Sequence, residues 1–173
     1  MTVEEVRVAW NRFRLLNPDE YGCVSRDVFR HPPYSNNMFC KQIWARIPGS
    51  EDDRNSIPFE AFLETLKWWQ YATVEKKVNL LLVWMCKEGQ VKEDLLQKIF
   101  RNAKDDLSQE EVKKLAQDSM RYMKESRPPD STEDPTNVTL EDFKRYIHQF
   151  PQSELKTALH FSILDIDTHE PFT

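Results

Sequence analysis

The sequence predicts an all-α protein, and three observations lead to that fold class. Apolar residues recur at the three- and four-residue spacing of an amphipathic helix along most of the chain. Only three glycines occur among 173 residues, and the alternating Val-, Ile- and Thr-rich runs that are typical of strands are missing. Hydrophobic residues make up 39% of the chain and aromatic residues 12%, which is too apolar for a disordered segment.

In the first half of the chain, capping and breaking residues delimit four helices. Thr2 and Glu5 form a capping box, which satisfies free backbone N–H groups at a helix start. Apolar residues at helical spacing continue from there to Leu16. Further helices are predicted from near Ser25 to Pro32-Pro33, from about Asn36 to Pro48-Gly49, and from Pro58 to Trp69.

The second half continues with helices and polar loops. Thr73 caps a helix that reaches Met85, and Gly89 separates it from a helix that ends near Phe100. Ser108 and Glu111 form a second capping box. The remaining predicted elements are a proline- and acid-rich loop over residues 126–137, a helix from Val138 to Pro151, and a last helix from Ser153 to about Ile163.

A repeat relates four loops of the chain. In each, a β-branched residue follows a polar stretch, and an apolar residue in a new helix comes five residues later. The pairs are Val24 with Phe29, Ile57 with Phe62, Val91 with Leu96, and Val138 with Phe143. An offset that recurs four times indicates one helix–loop–helix unit used four times.

Helix–loop–helix units with these landmarks resemble EF-hands, and the chain is similar to the group of calcineurin B, the plant calcineurin B-like proteins and the neuronal calcium sensors. HPPYSNNMFCKQIW at 31–44 and FPQSELKTALHFSILDI at 150–166 carry the resemblance further. It implies four EF-hand-like units in two paired lobes, at 1–72 and 73–150, and a C-terminal helix and tail at 151–173. It also implies that the β-branched residue of each loop pairs with that of its partner loop.

Three of the four loops lack the oxygen ligands that calcium needs. An EF-hand loop binds Ca²⁺ through about 6–8 oxygens, including a bidentate carboxylate at its last position. The first loop, which begins at Asn17, has Val28 at that position. The second has Arg54 among its ligands and Ala61 at the last position, and the third, from Trp84, offers no carboxylate at positions 1, 3, 5 or 12. We expect none of the three to bind calcium.

The fourth loop leaves two alternatives open. Counted back from Val138, it places Glu133, Asn137 and Asp142 at loop positions 3, 7 and 12, which makes them the candidate metal ligands. An aspartate at position 12 is shorter than glutamate and suits magnesium better than calcium. The other interpretation is an acidic surface loop. The sequence therefore predicts either no cofactor or one Ca²⁺ or Mg²⁺ in this loop.

Several function classes are disfavoured. A net charge of −5 argues against nucleic-acid binding. The four histidines have no partner at a metal or nucleophile spacing and no glycine-rich phosphate loop is present, so we predict no catalytic residues and no enzyme. Four features predict a cytoplasmic protein. The cysteines show no paired spacing, and no apolar run reaches the length of about 20 residues that a membrane span needs. The sequence also shows no secretory signal and no glycine at position 2, which myristoylation requires.

Aromatic and methionine residues predict a groove for a partner. Trp68 and Trp69 are about 100° apart on one helix, so we expect one of them to face a groove or partner; the alternative is that both are partly buried. The predicted groove residues are Trp44, Phe59, Phe62, Trp68, Trp69, Leu82, Trp84, Met85, Leu155 and Leu159. By the resemblance, the last helix occupies or borders this groove.

The leading functional hypothesis is a non-catalytic regulatory or scaffold subunit, largely independent of calcium. It would bind an amphipathic helix of a larger protein, which by the resemblance is a phosphatase, a kinase, a channel or an exchanger. The alternative hypothesis is a calcium or magnesium sensor that uses only the fourth loop.

Overall fold

The structure, a computed structural model, describes residues 1–103, 106–151, 153, 155, 156, 159 and 164. The described part is mostly helical, with the α-helices α1 Val3–Leu15, α2 Met38–Trp44, α3 Phe59–Tyr71, α4 Val74–Met85, α5 Glu93–Ala103, α6 Gln109–Glu125 and α7 Leu140–Ile147. Its short strands are β1 Cys23–Ser25, β2 Ser56–Pro58, β3 Gln90–Val91 and β4 Val138–Thr139. The prediction of a helical protein is confirmed, and two small sheets are added to it.

The chain divides into two compact units. The first comprises Met1–Thr73 together with Leu159 and Leu164, and the second is Val74–Ala158. Each unit contains one two-stranded antiparallel sheet, β1 with β2 in the first and β3 with β4 in the second.

The two sheets pair the β-branched residues of the sequence repeat. Val24 lies opposite Ile57 in the first unit, and Val91 lies opposite Val138 in the second. All four side chains are buried. Each sheet therefore joins two loops through backbone hydrogen bonds and anchors both in the core of its unit.

Stacked aromatic rings form the core of the first unit. The ring of Trp44 stacks on Phe29, with centroids 4.3 Å apart, and lies nearly parallel to Phe62 at 6.0 Å. The ring of Phe13 of α1 packs against those of Phe59 and Phe62 of α3, with ring centroids 5.3 Å apart in both pairs. Such ring pairs add to the free energy gained by burial, so this cluster fixes α1, α2 and α3 against one another.

Aliphatic residues dominate the core of the second unit. Its buried members are Leu82, Cys86, Val91, Leu96, Ala116, Met123, Val138 and Phe143. Leu96 and Phe143, like Phe29 and Phe62 in the first unit, are the apolar residues that the repeat places five positions after a paired strand residue.

Helix starts agree with the sequence at both predicted capping boxes. The Thr2 hydroxyl accepts from the Glu5 N–H at 3.2 Å, and the Ser108 hydroxyl accepts from the Glu111 N–H at 3.3 Å. Elsewhere the boundaries differ. The helix predicted near Ser25 is a 3₁₀ helix over Arg26–Arg30. Helix α2 begins only after Asn37, whose side chain accepts from the backbone N–H groups of Phe39 and Cys40.

The predicted C-terminal helix lies mainly outside the described residues. Ser153, Leu155 and Lys156 are helical. Leu159 and Leu164 are buried. The remaining residues from 152 to 173 lie outside the described part.

Candidate functional site

In the second unit, the loop between α6 and α7 closes around the guanidinium of Arg127. Its Nε and Nη2 donate to the two carboxylate oxygens of Asp142, at 2.9 and 2.5 Å. Nη1 donates to the backbone carbonyl of Asp134 at 2.9 Å, and Nη2 to that of Asn137 at 2.5 Å. Only 9% of the Arg127 side chain is exposed. One buried cation at the start of the loop thus gathers oxygens from the end of the loop and from α7.

A second arginine completes this charge cluster. Arg145 of α7 contacts Asp142 through Nη2, and the same nitrogen lies 3.5 Å from Glu133 Oε2. Glu133 Oε2 also lies 3.2 Å from Arg127 Nε. Two guanidinium groups therefore face two carboxylates, and the cluster is neutral. Neutrality matters because an unpaired charge buried at this depth is costly.

The ionised state of Asp142 is strongly favoured. Burial by itself raises the pKa of its carboxyl group, since its side chain has no exposed surface. Hydrogen bonds from Arg127 and from the Thr139 N–H and hydroxyl outweigh that burial and hold the pKa of Asp142 well below its ordinary value. The hydrogen bond to Asp142 correspondingly raises the pKa of Arg127.

Asp142 has a further role as the capping partner at the start of α7. Its Oδ2 accepts from the Thr139 N–H at 2.8 Å, and the Thr139 hydroxyl accepts from the Asp142 N–H at 3.2 Å. This reciprocal pair is a third capping box. The three-residue spacing of Thr139 and Asp142 in the sequence is typical of a capping box. The interpretation of Asp142 as a metal ligand did not use this spacing.

The structure brings the three predicted metal ligands together, but around arginine. Asp142 and Glu133 pair with Arg127 and Arg145. Asn137 offers its carbonyl to Arg127, while its side-chain amide donates to Asp134 Oδ2 at 2.9 Å. Within the described residues, no group of three or more His, Cys, Asp or Glu side chains is arranged to hold a metal ion. Ion binding in this loop stays a prediction.

The first unit contains a comparable arginine. Arg26 Nη1 donates to the carbonyl of Trp44 at 2.7 Å, and Nη2 donates to that of Ile47 at 2.6 Å. Nη2 and Nε also reach the carbonyl of Arg54, at 3.0 and 3.3 Å. Burial, followed by the nearby charge of Arg30, lowers the pKa of Arg26. The guanidinium links the first loop to the end of α2 and to the second loop.

Acidic residues in the first two loops are used to close the loops themselves. Asp19 Oδ1 accepts from the N–H groups of Tyr21 and Cys23 at 3.0 and 2.9 Å. Asp53 accepts from the Asn55 N–H and the Ser56 hydroxyl, both at 2.8 Å. These are local turns in which the side chain replaces a backbone acceptor.

Burial separates the predicted groove residues into three groups. Trp44, Phe62, Trp69, Leu82 and Leu159 are buried. Phe59, Trp84, Met85 and Leu155 are half-buried. Trp68 is 40% exposed whereas its neighbour Trp69 is fully buried. The two adjacent tryptophans thus lie in different environments. Trp68 is the most exposed of the ten predicted groove residues.

The structure brings some of these residues into contact. Trp44 and Phe62 share one aromatic cluster in the first unit, in which Phe13 links Phe62 to Phe59. In the second unit, Leu155 lines a cavity of about 140 Å³. The other residues that line this cavity are Val74, Glu75, Val78, Asn79, Lys144, Ile147, His148 and Phe150.

Sequence reasoning did not single out Arg26, Arg127 or Arg145. For Arg127 one signal was present, since it is the one basic residue in the stretch SRPPDSTEDPTN. A lone cation amid acidic residues is positioned to pair with them. Nothing in the local pattern indicated which carbonyls it would contact.

None of the helices in the described part is both long enough and apolar enough to cross a membrane. A scan against models of known protein families finds no match, and neither does a search of curated proteins.

Proposed function

We propose that the chain is a calcineurin B-like protein of four EF-hand-like units, with a non-catalytic regulatory or scaffold function. The observation that carries this proposal is the pairing of Val24 with Ile57 and of Val91 with Val138. These are the loop residues for which the resemblance implies a pairing. An identical relationship in two units is difficult to obtain from unrelated helical hairpins.

The proposed partner is an amphipathic helix of a larger protein, namely a phosphatase, a kinase, a channel or an exchanger. Helices of this kind dock through apolar anchors spaced along one face. The exposed ring of Trp68 supports an apolar contact surface in the first unit, because partly exposed tryptophans are enriched at binding surfaces. In the second unit, the cavity beside Val78, Ile147 and Leu155 offers space for an apolar side chain.

Binding that does not depend on calcium is part of this proposal. Its support is that Asp142 and Glu133 are already paired with arginines. In ion-dependent sensors, calcium opens a helix pair and exposes the groove. Here the carboxylates that such an ion would need are engaged, so the surface offered to a partner would be the same with or without calcium.

Affinity capture of the full chain from a detergent-solubilised whole-cell extract, with EGTA or with calcium, tests the proposal. We expect one large stoichiometric companion that is retained equally in both conditions. Synthetic peptides covering each amphipathic helix of that companion should then bind the purified chain, as followed by tryptophan fluorescence. Peptides that fail to bind, or a companion released by EGTA, would contradict the proposal.

A pair of variants links binding to the proposed surface. Trp68→Ala should weaken peptide binding by about 2 kcal/mol, the usual loss at an aromatic anchor. Tyr21→Ala is the matched control, since Tyr21 is an exposed aromatic residue of the same unit; its effect should stay below about 0.5 kcal/mol. Equal effects of the two substitutions would exclude Trp68 as an anchor.

A further inference from the structure

We propose that Arg127 is an internal cation that clamps the fourth loop to α7, and that this clamp keeps the second unit in one conformation whether or not divalent ions are present. The meaning of the clamp for partner binding rests on the proposed function above. The effect of the clamp on the stability of the chain does not rest on that function, because stability can be measured without a partner.

The first step of the inference is geometric. A guanidinium presents five N–H donors in a fixed planar fork. Arg127 directs them to two backbone carbonyls, of Asp134 and Asn137, and to both oxygens of Asp142. These acceptors lie before β4 and in the first turn of α7. One side chain therefore connects the end of the loop and the first turn of α7 to a single positive centre.

The second step concerns connectivity. Arg127 follows directly on the end of α6 at Glu125 and its cap residue Ser126. The guanidinium consequently joins the end of α6 to the start of α7. Nearby, Lys124 Nζ donates to the Thr136 carbonyl at 2.7 Å, which adds a second, exposed link between α6 and the loop.

The third step concerns charge. Both oxygens of Asp142 accept from Arg127, and Arg145 contacts the same carboxylate. A divalent ion that took this carboxylate would have to displace a guanidinium of which only 9% is exposed. Since burying an unpaired cation is costly, the exchange is unfavourable. The charged guanidinium of Arg127 therefore occupies the position that a bound metal ion would need.

The first unit provides an independent parallel. Arg26 also directs one guanidinium to several backbone carbonyls, those of Trp44, Ile47 and Arg54. Its acceptors are neutral carbonyls, whereas Arg127 also has a buried carboxylate. We therefore expect Arg127 to be the stronger of the two clamps.

Thermal unfolding of the full chain tests the clamp. Arg127→Gln removes the charge and should lower the melting temperature by about 10 °C, the loss expected for breaking a buried ion pair in a protein of this size. The matched control is Arg121→Gln in α6, where an exposed arginine pairs with Asp118 at 2.7 Å; it should change the melting temperature by less than about 3 °C. In the wild type, about 1 mM Ca²⁺ or Mg²⁺ in place of EGTA should produce no shift.

Arg127→Lys serves as a second variant, because Arg127→Gln could prevent folding altogether. Lysine keeps the charge but lacks the fork, so its melting temperature should lie between those of the wild type and Arg127→Gln. In this variant, amide exchange at Thr139 and Asp142 should accelerate by about tenfold or more, while exchange in α5 stays unchanged. A purely structural loss would accelerate exchange throughout the unit.

Three outcomes would overturn the clamp: a melting temperature of Arg127→Gln equal to that of Arg121→Gln, wild-type exchange rates in Arg127→Lys, or a wild-type shift of about 5 °C or more in calcium or magnesium. None of these measurements involves a partner. Failure of the clamp would leave helix binding itself untouched, and only a shift in calcium or magnesium would also contradict its independence of ions. Failure of peptide binding would leave the clamp untouched.

Discussion

Arg127 and Asp142 face each other across the fourth loop and form two hydrogen bonds, of 2.9 Å from Nε to Oδ1 and 2.5 Å from Nη2 to Oδ2. Bidentate pairs of this kind are stronger than single hydrogen bonds and fix the relative orientation of the two groups. Because Asp142 also caps α7, the pair connects ion pairing to helix initiation.

The acid sensitivity of the protein should depend on Asp142. Its pKa is lower in the folded chain than the ordinary value of about 3.9, so the unfolded chain takes up a proton at higher pH than the folded chain does. The contribution of Asp142 to the free energy of unfolding is therefore fully present above about pH 5 and is lost as the pH falls below 4. Urea unfolding at neutral pH and near pH 3 would measure the loss.

Asp142→Asn removes the titrating group and isolates this effect. We expect the variant to be less stable than the wild type at neutral pH by about 3 kcal/mol, and to lose less stability on acidification. Asp118→Asn is the control, since Asp118 lies in an exposed pair with Arg121. Parallel pH dependences for the wild type and Asp142→Asn would contradict the assignment.

Gly49 should tolerate no side chain, because the backbone of Arg54 lies against it. A Cβ atom at Gly49 would come within 2.4 Å of the Arg54 Cα and carbonyl oxygen. Gly49→Asn should therefore cost about 2–3 kcal/mol of unfolding free energy, as other overpacking substitutions do. Gly22→Asn is the control: Gly22 has φ of +74° and no neighbour within 4 Å, and asparagine accepts this backbone region with a cost below about 1 kcal/mol. If chemical denaturation shows Gly22→Asn to be the more destabilising of the two variants, the backbone at Arg54 must move to accommodate a side chain at position 49.

Glu88 lies in a backbone conformation that suits asparagine better than glutamate. Its φ is 56° and its ψ 27°, in the left-handed region that asparagine visits readily because its short side chain bonds locally. Glu88→Asn should raise the free energy of unfolding by about 0.5–1 kcal/mol, because asparagine relieves part of the cost of the left-handed conformation. Glu20→Asn, at an exposed turn residue without positive φ, should bring no gain. A loss of stability in Glu88→Asn would mean that the carboxylate has a role of its own.

The two adjacent tryptophans should differ sharply in their contribution to stability. Trp69 is fully buried, and Trp69→Ala should cost about 3–5 kcal/mol. Trp68 is 40% exposed, and Trp68→Ala should cost about 1 kcal/mol or less. Acrylamide quenching of single-tryptophan variants would complement the unfolding data, with Trp68 quenched readily and Trp69 protected. Equal quenching would contradict the difference in solvent exposure between the two rings.

The sequence by itself determined the helical class, both predicted capping boxes, and the residues at the centre of each unit. Val24, Ile57, Val91 and Val138 could be identified because strand residues and their following core residues recur at a fixed offset. Such signals are local: helix periodicity, capping and turn chemistry act between residues a few positions apart.

Only the tertiary structure decided what fills the fourth loop and which tryptophan is buried. Arg127 pairs with Asp142 across 15 positions, and no local pattern states which of several charged residues will meet when two helices and a loop pack together. The orientation of Trp68 and Trp69 depends on where the neighbouring helices lie, because a helix turns adjacent side chains about 100° apart without indicating which face is covered. Long-range packing and charge pairing are properties of the folded chain, and for that reason they could not be obtained from spacing alone.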